Sequence, residues 1–201
     1  MAIDNLKLIK SLLQFNEDGD FYMLYVFKRK KDQPIEERDN HQSVRTIKSY
    51  CIKSLEHLEK RWDEIKMLCE IFGARAYIHV QAQNHRDISL TMMMKLAERI
   101  KSGVTNQQGL FDSVVGSIST QEKRWIIDID DRDEQFDREI QEFINELRPS
   151  GPKIIANVPT KQGHHLITER FDVQEFKKKY PNIDIQKKNP TLLYLPNSLD
   201  N

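Results

Sequence analysis

Ile3, Leu6, Leu8, Ile9, Leu12 and Leu13 recur at helical spacing, which predicts a helix within residues 1–15. Asn16, Asp18, Gly19 and Asp20 then form a polar turn. The next run, FYMLYVFK at 21–28, is rich in aromatic and β-branched residues and reads as a buried strand. Residues 30–40 are charged and include Pro34, so a loop is expected. From 43 to 72 the apolar positions Val44, Ile47, Tyr50, Cys51, Leu55, Leu58, Trp62, Ile65, Leu68 and Cys69 keep a spacing of three to four. That spacing predicts one long helix or two, stopped by Gly73. Residues 75–82 alternate as a strand does, and 87–100 predict a helix with Ile88, Met92, Leu96 and Ile100 inward.

Residues 101–121 hold three of the seven glycines among many Ser, Thr, Asn and Gln, the composition of a linker. Leu110-Phe111 and Val114-Val115 imply that this stretch packs against something. Beyond it the pattern sharpens. Strands are predicted at 124–130, 153–158, 164–168, 183–187 and 192–195, and helices at 134–147 and 173–180. A turn at 159–163 joins the second and third of those strands as a hairpin. From 124 to 185 the order is β-α-β-β-α-β, the ferredoxin-like unit in which two helices cover one face of an antiparallel sheet and the other face stays open for ligand. The expected architecture is therefore α/β of the α+β kind: an N-terminal αβ module at 1–101, a linker at 102–121 and a C-terminal ferredoxin-like unit at 122–201.

Composition narrows the function. Lys and Arg number 31 and so do Asp and Glu, so the net charge of +0 excludes a uniformly basic nucleic-acid coat, and any polyanion must meet a local patch. The only cysteines, Cys51 and Cys69, are too few and too far apart for a disulfide framework or a structural zinc site. The N-terminal apolar rhythm carries Asp4, Lys7 and Lys10 and lacks a small-residue cleavage site, so a cytoplasmic protein is expected. No apolar run approaches the roughly 20 residues needed to cross a bilayer.

Three constellations carry candidate chemistry. In Ile126-Ile127-Asp128-Ile129-Asp130, residues two apart share a strand face, so Asp128 and Asp130 present two carboxylates together. A hard divalent cation, magnesium or manganese, would neutralise them. Asp131 and Asp133 suit the N-terminus of the following helix better. In Pro159-Thr160-Lys161-Gln162-Gly163-His164-His165, a hydroxyl, a lysine and a glycine at a hairpin tip offer donors to phosphates, and only one of the adjacent histidines can face them. The third constellation places Asp184 between Ile183 and Ile185, with Lys187 following; an edge-strand aspartate with gatekeeping lysines would have the same pattern.

Together these resemble the archaeo-eukaryotic primase superfamily of DNA primases and primase-polymerases. Its first motif, two aspartates separated by one residue after an apolar strand, is similar to Asp128 and Asp130. Its hairpin motif resembles Gly163-His164-His165, although Thr160 sits farther from the histidine than in the shortest family pattern. Its third motif looks like Ile183-Asp184-Ile185, with Lys187 and the Leu192-Leu193 strand after it. The zinc-binding inserts of many primases are absent. The resemblance implies an N-terminal αβ module packed on an RRM-like palm, with Asp128, Asp130 and Asp184 as catalytic metal ligands for Mg2+ or Mn2+. It further implies nucleotide binding by Thr160, Lys161, Gly163, His165 and Lys187, and a template contact at Arg75. Expected partners are a single-stranded DNA template, nucleoside triphosphates and a replicative helicase or other replication proteins, with no membrane. The basic runs 28–31 and 177–179 are expected to guide the template. The alternative is a non-catalytic RRM-like single-strand binder or accessory replication protein, which would need exposed aromatics on the central strands; Trp125 is the one candidate.

Overall fold

The computed structural model describes residues 2–33, 44–118, 120, 123–130 and 133–199. The aromatic run becomes strand β2 (Asp20–Arg29), and its stretch 21–27 is apolar on both sides because both faces are covered. Tyr22, Leu24 and Val26 enter one buried cluster, while Phe21 and Met23 enter another. β2 pairs antiparallel with β3 (Val44–Ile52) on one side and β4 (Arg75–Ile78) on the other. Beyond β4 lie β10 (Thr191–Leu195) and then β1 (Ile3–Asp4), while β5 (Gln83–Asn84) joins the start of β2.

The helix expected across residues 43–72 is instead a strand followed by a helix. Val26 faces Lys48 and Phe27 faces Thr46, which leaves Ile47 as an extra residue in β3. Such a bulge interrupts the two-residue alternation, and here it produces the three-residue spacing Val44, Ile47, Tyr50 that imitates a helix. The helix begins only after Ser54, whose hydroxyl accepts the His57 N–H at 3.0 Å. It is α2 (Leu55–Phe72), and it ends at Gly73 with φ 54°, a conformation that favours glycine. Leu58, Trp62, Ile65 and Cys69 of α2 join Ile9 and Leu12 of α1 (Leu6–Leu12) on one face of the sheet.

Two helices cover the other face: α3 (His85–Lys101) and α4 (Leu110–Ser117). α4 forms inside the stretch expected to be a linker, because Leu110, Val114 and Val115 pack with Phe21 and Met23. α3 buries Ile88, but Leu96 and Ile100, expected inward, are 36% and 63% exposed.

A second sheet holds β6 (Trp125–Ile129), β7 (Ile154–Pro159), β8 (His164–Thr168) and β9 (Asp184–Gln186) in the order β7-β8-β6-β9, antiparallel at every neighbour. α5 (Glu134–Glu146) connects β6 to β7, and α6 (Val173–Lys179) connects β8 to β9. Both helices start on aspartate caps: Asp133 accepts from the Gln135 N–H at 2.9 Å, and Asp172 from Gln174 and Glu175. Asp131 lies outside the described residues, as do positions 34–40 of the expected loop. α5 and α6 bury Ile140, Ile144 and Phe176 against Trp125, Ile127, Ile129 and Leu166.

The face expected to be open is largely closed. Ile126, Ile167 and Val158 project from it into the buried cluster of the first sheet, because apolar side chains there gain more from burial than a polar ligand face would allow. The last strand also changes partner. Residues 191–195 leave the second sheet and pair with β4 and β1, so the expected unit at 122–201 gives its final strand to the N-terminal half. The result is a mixed α+β protein with two antiparallel sheets and six α-helices among the described residues. No described helix is long and apolar enough to cross a membrane.

Candidate acidic and phosphate-binding site

Strand β6 buries Ile127 and Ile129 under its helices and turns Asp128 to the other face. There Asp128 sits in register between His165 of β8 and Asp184 of β9. Residues directly opposite on antiparallel strands project to the same side, so the three side chains form one row. His165 Nε2 lies 3.6 Å from Asp128 Oδ1, and its Nδ1 is 2.9 Å from Thr191 Oγ1 of β10. The imidazole thus spans the two sheets. Asp184 is exposed at the outer strand and accepts a hydrogen bond from Gln186 Nε2 at 2.9 Å. Asp130 follows just beyond the end of β6 and is exposed.

The hairpin reaches this row through Gly163. A Cβ there would overlap the Ile129 carbonyl oxygen and stand 2.9 Å from Asp130 Cα, so only glycine allows the turn to lie against the end of β6. The turn closes on itself: Thr160 N–H donates to the Gly163 carbonyl at 2.9 Å, and Gly163 N–H donates to Thr160 Oγ1 at 3.2 Å. Asn5, 5% exposed, clamps the base of the hairpin to the first sheet by donating to the carbonyls of Pro159 (2.9 Å) and Leu192 (3.0 Å). Lys161 Nζ donates to the Leu199 carbonyl at 2.6 Å, tying the tip to the C-terminal segment.

Burial sets the charge of the site's histidine. Desolvation, aided by the charges of His164 and Arg29 and opposed by Asp130, pushes His165 down to about 4. It is therefore neutral at physiological pH, able to offer a hydrogen bond but not a cation. Among those charges Arg29, at the end of β2, belongs to the N-terminal half and to the basic run 28–31. His164 turns the opposite way, its Nε2 3.5 Å from Asp137 Oδ1 of α5, and burial lowers its pKa while Asp137 pulls it up.

Not every expected residue joins the row. Lys187 lies on the opposite strand face from Asp184 and at the other end of β6, its Nζ 4.9 Å from the Trp125 ring centroid. Arg75 is committed to an internal ion pair in the first sheet, Nη2 to Asp32 Oδ1 at 2.7 Å, with side chains 5% and 9% exposed. The 177–179 run is used locally. Lys177 donates to the carbonyls of Pro181 and Ile183, Lys178 pairs with Glu175, and Lys179 lies over the rings of Phe143 and Tyr180. A cleft of about 1070 Å³ lies elsewhere, around Trp125 at the far end of the second sheet.

Among the described residues no three His, Cys, Asp or Glu side chains are gathered closely enough to hold a metal ion. The donor chemistry does suit a hard divalent cation, since Asp128 and Asp184 bring carboxylates to facing register positions and Asp130 follows two residues on. Comparison with family models, characterised proteins and solved structures finds no match to this chain.

Proposed function

We propose that this chain is a template-directed nucleotidyltransferase of the primase type, making or extending primers on single-stranded DNA from nucleoside triphosphates. The observation that carries this reading is the row His165, Asp128, Asp184 set in register across three strands, with Gly163 seating the hairpin against its end. The strand order β7-β8-β6-β9, with one helix between β6 and β7 and another between β8 and β9, supports a ferredoxin-like palm, and the N-terminal sheet packs on it.

In this reading Asp128, Asp130 and Asp184 would have to draw together to hold Mg2+ or Mn2+, whose chemistry when bound is to neutralise phosphate charge and acidify an attacking hydroxyl. The remaining work belongs to the chain. Gly163 seats the hairpin against the end of β6, and the neutral His165 imidazole, held by Thr191, donates one hydrogen bond to a phosphate oxygen. Arg29, whose charge acts on His165, takes the role expected of Lys187, which lies over Trp125. Replication proteins such as a helicase would be its natural partners. The binder alternative is less well supported. The sheet face it needs is filled by Ile126 and Ile167, and Trp125 is 9% exposed beneath Lys187.

The test is incorporation of labelled nucleotides on a single-stranded template with magnesium or manganese. The double variant Asp128→Ala, Asp130→Ala should lose at least about a hundredfold in rate while keeping the wild-type circular dichroism spectrum. Equal rates in both proteins, or no incorporation by the wild type on any template or nucleotide, would sink the proposal.

A further inference from the structure

The second sheet sorts charge to its two ends. Asp128, Asp130 and Asp184 occupy one. At the other, the start of β6, the end of β8, the end of β9 and the loop before β7 bring Lys123, Arg170, Lys187 and Arg148 around a cleft of about 1070 Å³. β6 is five residues long, and its four steps of about 3.4 Å separate its ends by roughly 14 Å.

The cations of this cleft divide into structural and uncommitted ones. Lys188 Nζ donates to the carbonyls of Gly116, Ser117 and Ile118 at the end of α4, and Arg124 Nη1 donates to the Leu12 carbonyl at 2.6 Å. Lys123, Arg148 and Arg170 are exposed and make no ion pair or side-chain hydrogen bond among the described residues, and Lys187 rests over Trp125. Of the two acids among the described lining residues, Asp172 is committed to capping α6, which leaves Glu169 against four cations.

We propose that this cleft binds the phosphodiester backbone of a single-stranded nucleic acid, at a site separate from the acidic row. Like charges gathered in one concavity repel one another until an anion enters. The cleft is too large for a single phosphate, and two guanidinium groups at its rim match the fork geometry of successive phosphates. Trp125 lies under Lys187 and offers no free face, so recognition runs through the backbone and tolerates any sequence. Gln81 and Thr120 complete the wall on the first sheet's side, and a single strand can follow such a concavity where the convex surface of a duplex meets only its rim. This inference does not depend on catalysis at the other end.

Fluorescence anisotropy of the full chain with a short labelled oligothymidine, in chelator and over a salt series, tests it without turnover. Four phosphate contacts predict a log–log salt slope near −2.8, about −0.7 for each. Arg148→Gln with Arg170→Gln should weaken binding about tenfold or more and reduce the slope by about 1.4. Lys178→Gln, which removes a charge remote from the cleft, should change neither. Asp128→Ala with Asp130→Ala should keep the slope, so failure of the catalytic proposal and failure of this one are distinguishable. Unchanged binding by the arginine variant would overturn the assignment. So would competition by polyaspartate, nucleoside triphosphate or duplex DNA equal to that of the unlabelled single strand.

Discussion

The two antiparallel sheets treat charge in opposite ways. In the first, Arg75 and Asp32 are nearly buried and satisfy each other at 2.7 Å. In the second, Asp184 stays exposed on an outer strand opposite Asp128, and Asp130 stays exposed beyond the strand end. The difference teaches how to separate architecture from chemistry in this chain. A charge that folding removes from water must find a partner within the fold, while a charge kept in water at the end of a sheet remains available to a ligand.

The strongest way to break that comparison is to remove half of the buried pair. Arg75→Ala leaves the Asp32 carboxylate buried with one oxygen already lacking a hydrogen bond, and should cost about 3–5 kcal/mol of unfolding free energy. Asp184→Asn, at the exposed end, should stay within about 0.5 kcal/mol. Denaturant titrations of the two variants read the contrast directly; equal losses would erase the distinction between the sheets.

Acid sharpens it next. His165 and His79 are held neutral down to about 4 by burial, against an ordinary value of 6.5. As pH falls below 6.5 the unfolded chain takes up these protons before the native one. Stability should therefore be full above 6.5 and decline between 6.5 and 4, by an amount on the order of 3 kcal/mol for each histidine. His165→Gln should flatten that decline, as measured by urea midpoints across the pH range. An unchanged slope would mean that the ring is not buried neutral between the sheets.

The smallest effect concerns glycine. Gly163→Ala must push a methyl group into the Ile129 backbone and should cost about 1–3 kcal/mol. Gly116→Ala, inside α4 with nothing within 4 Å of the added carbon, should instead gain up to about 1 kcal/mol. Thermal unfolding of the pair tests whether the hairpin seat is as tight as its geometry implies.

Local pattern carried much of the second sheet. The alternation in 125–129, the Asp133 cap and the turn at 159–163 are decided by residues close in sequence, and they could be read there. The first sheet was harder. β3 carries a bulge at Ile47, which converts strand alternation into helical spacing, and only pairing with β2 reveals it. α4 was obscured by the glycines and polar residues around it, and its apolar pairs have meaning only beneath Phe21 and Met23.

For the candidate site, the sequence by itself determined the residue types, the alternation that sets Asp128 apart from Ile127 and Ile129, and the divergence of His164 from His165, because strand geometry alone dictates these. Tertiary structure decided the rest. It placed Asp184 opposite Asp128, neutralised His165 by burial between the sheets and sent Lys187 to the far end with Trp125. It also returned the strand at 191–195 to the first sheet, closing the face that local pattern left open. The physical reason is range. Backbone periodicity and capping act over a few residues, whereas burial, register and the meeting of distant charges depend on which surfaces exclude water together.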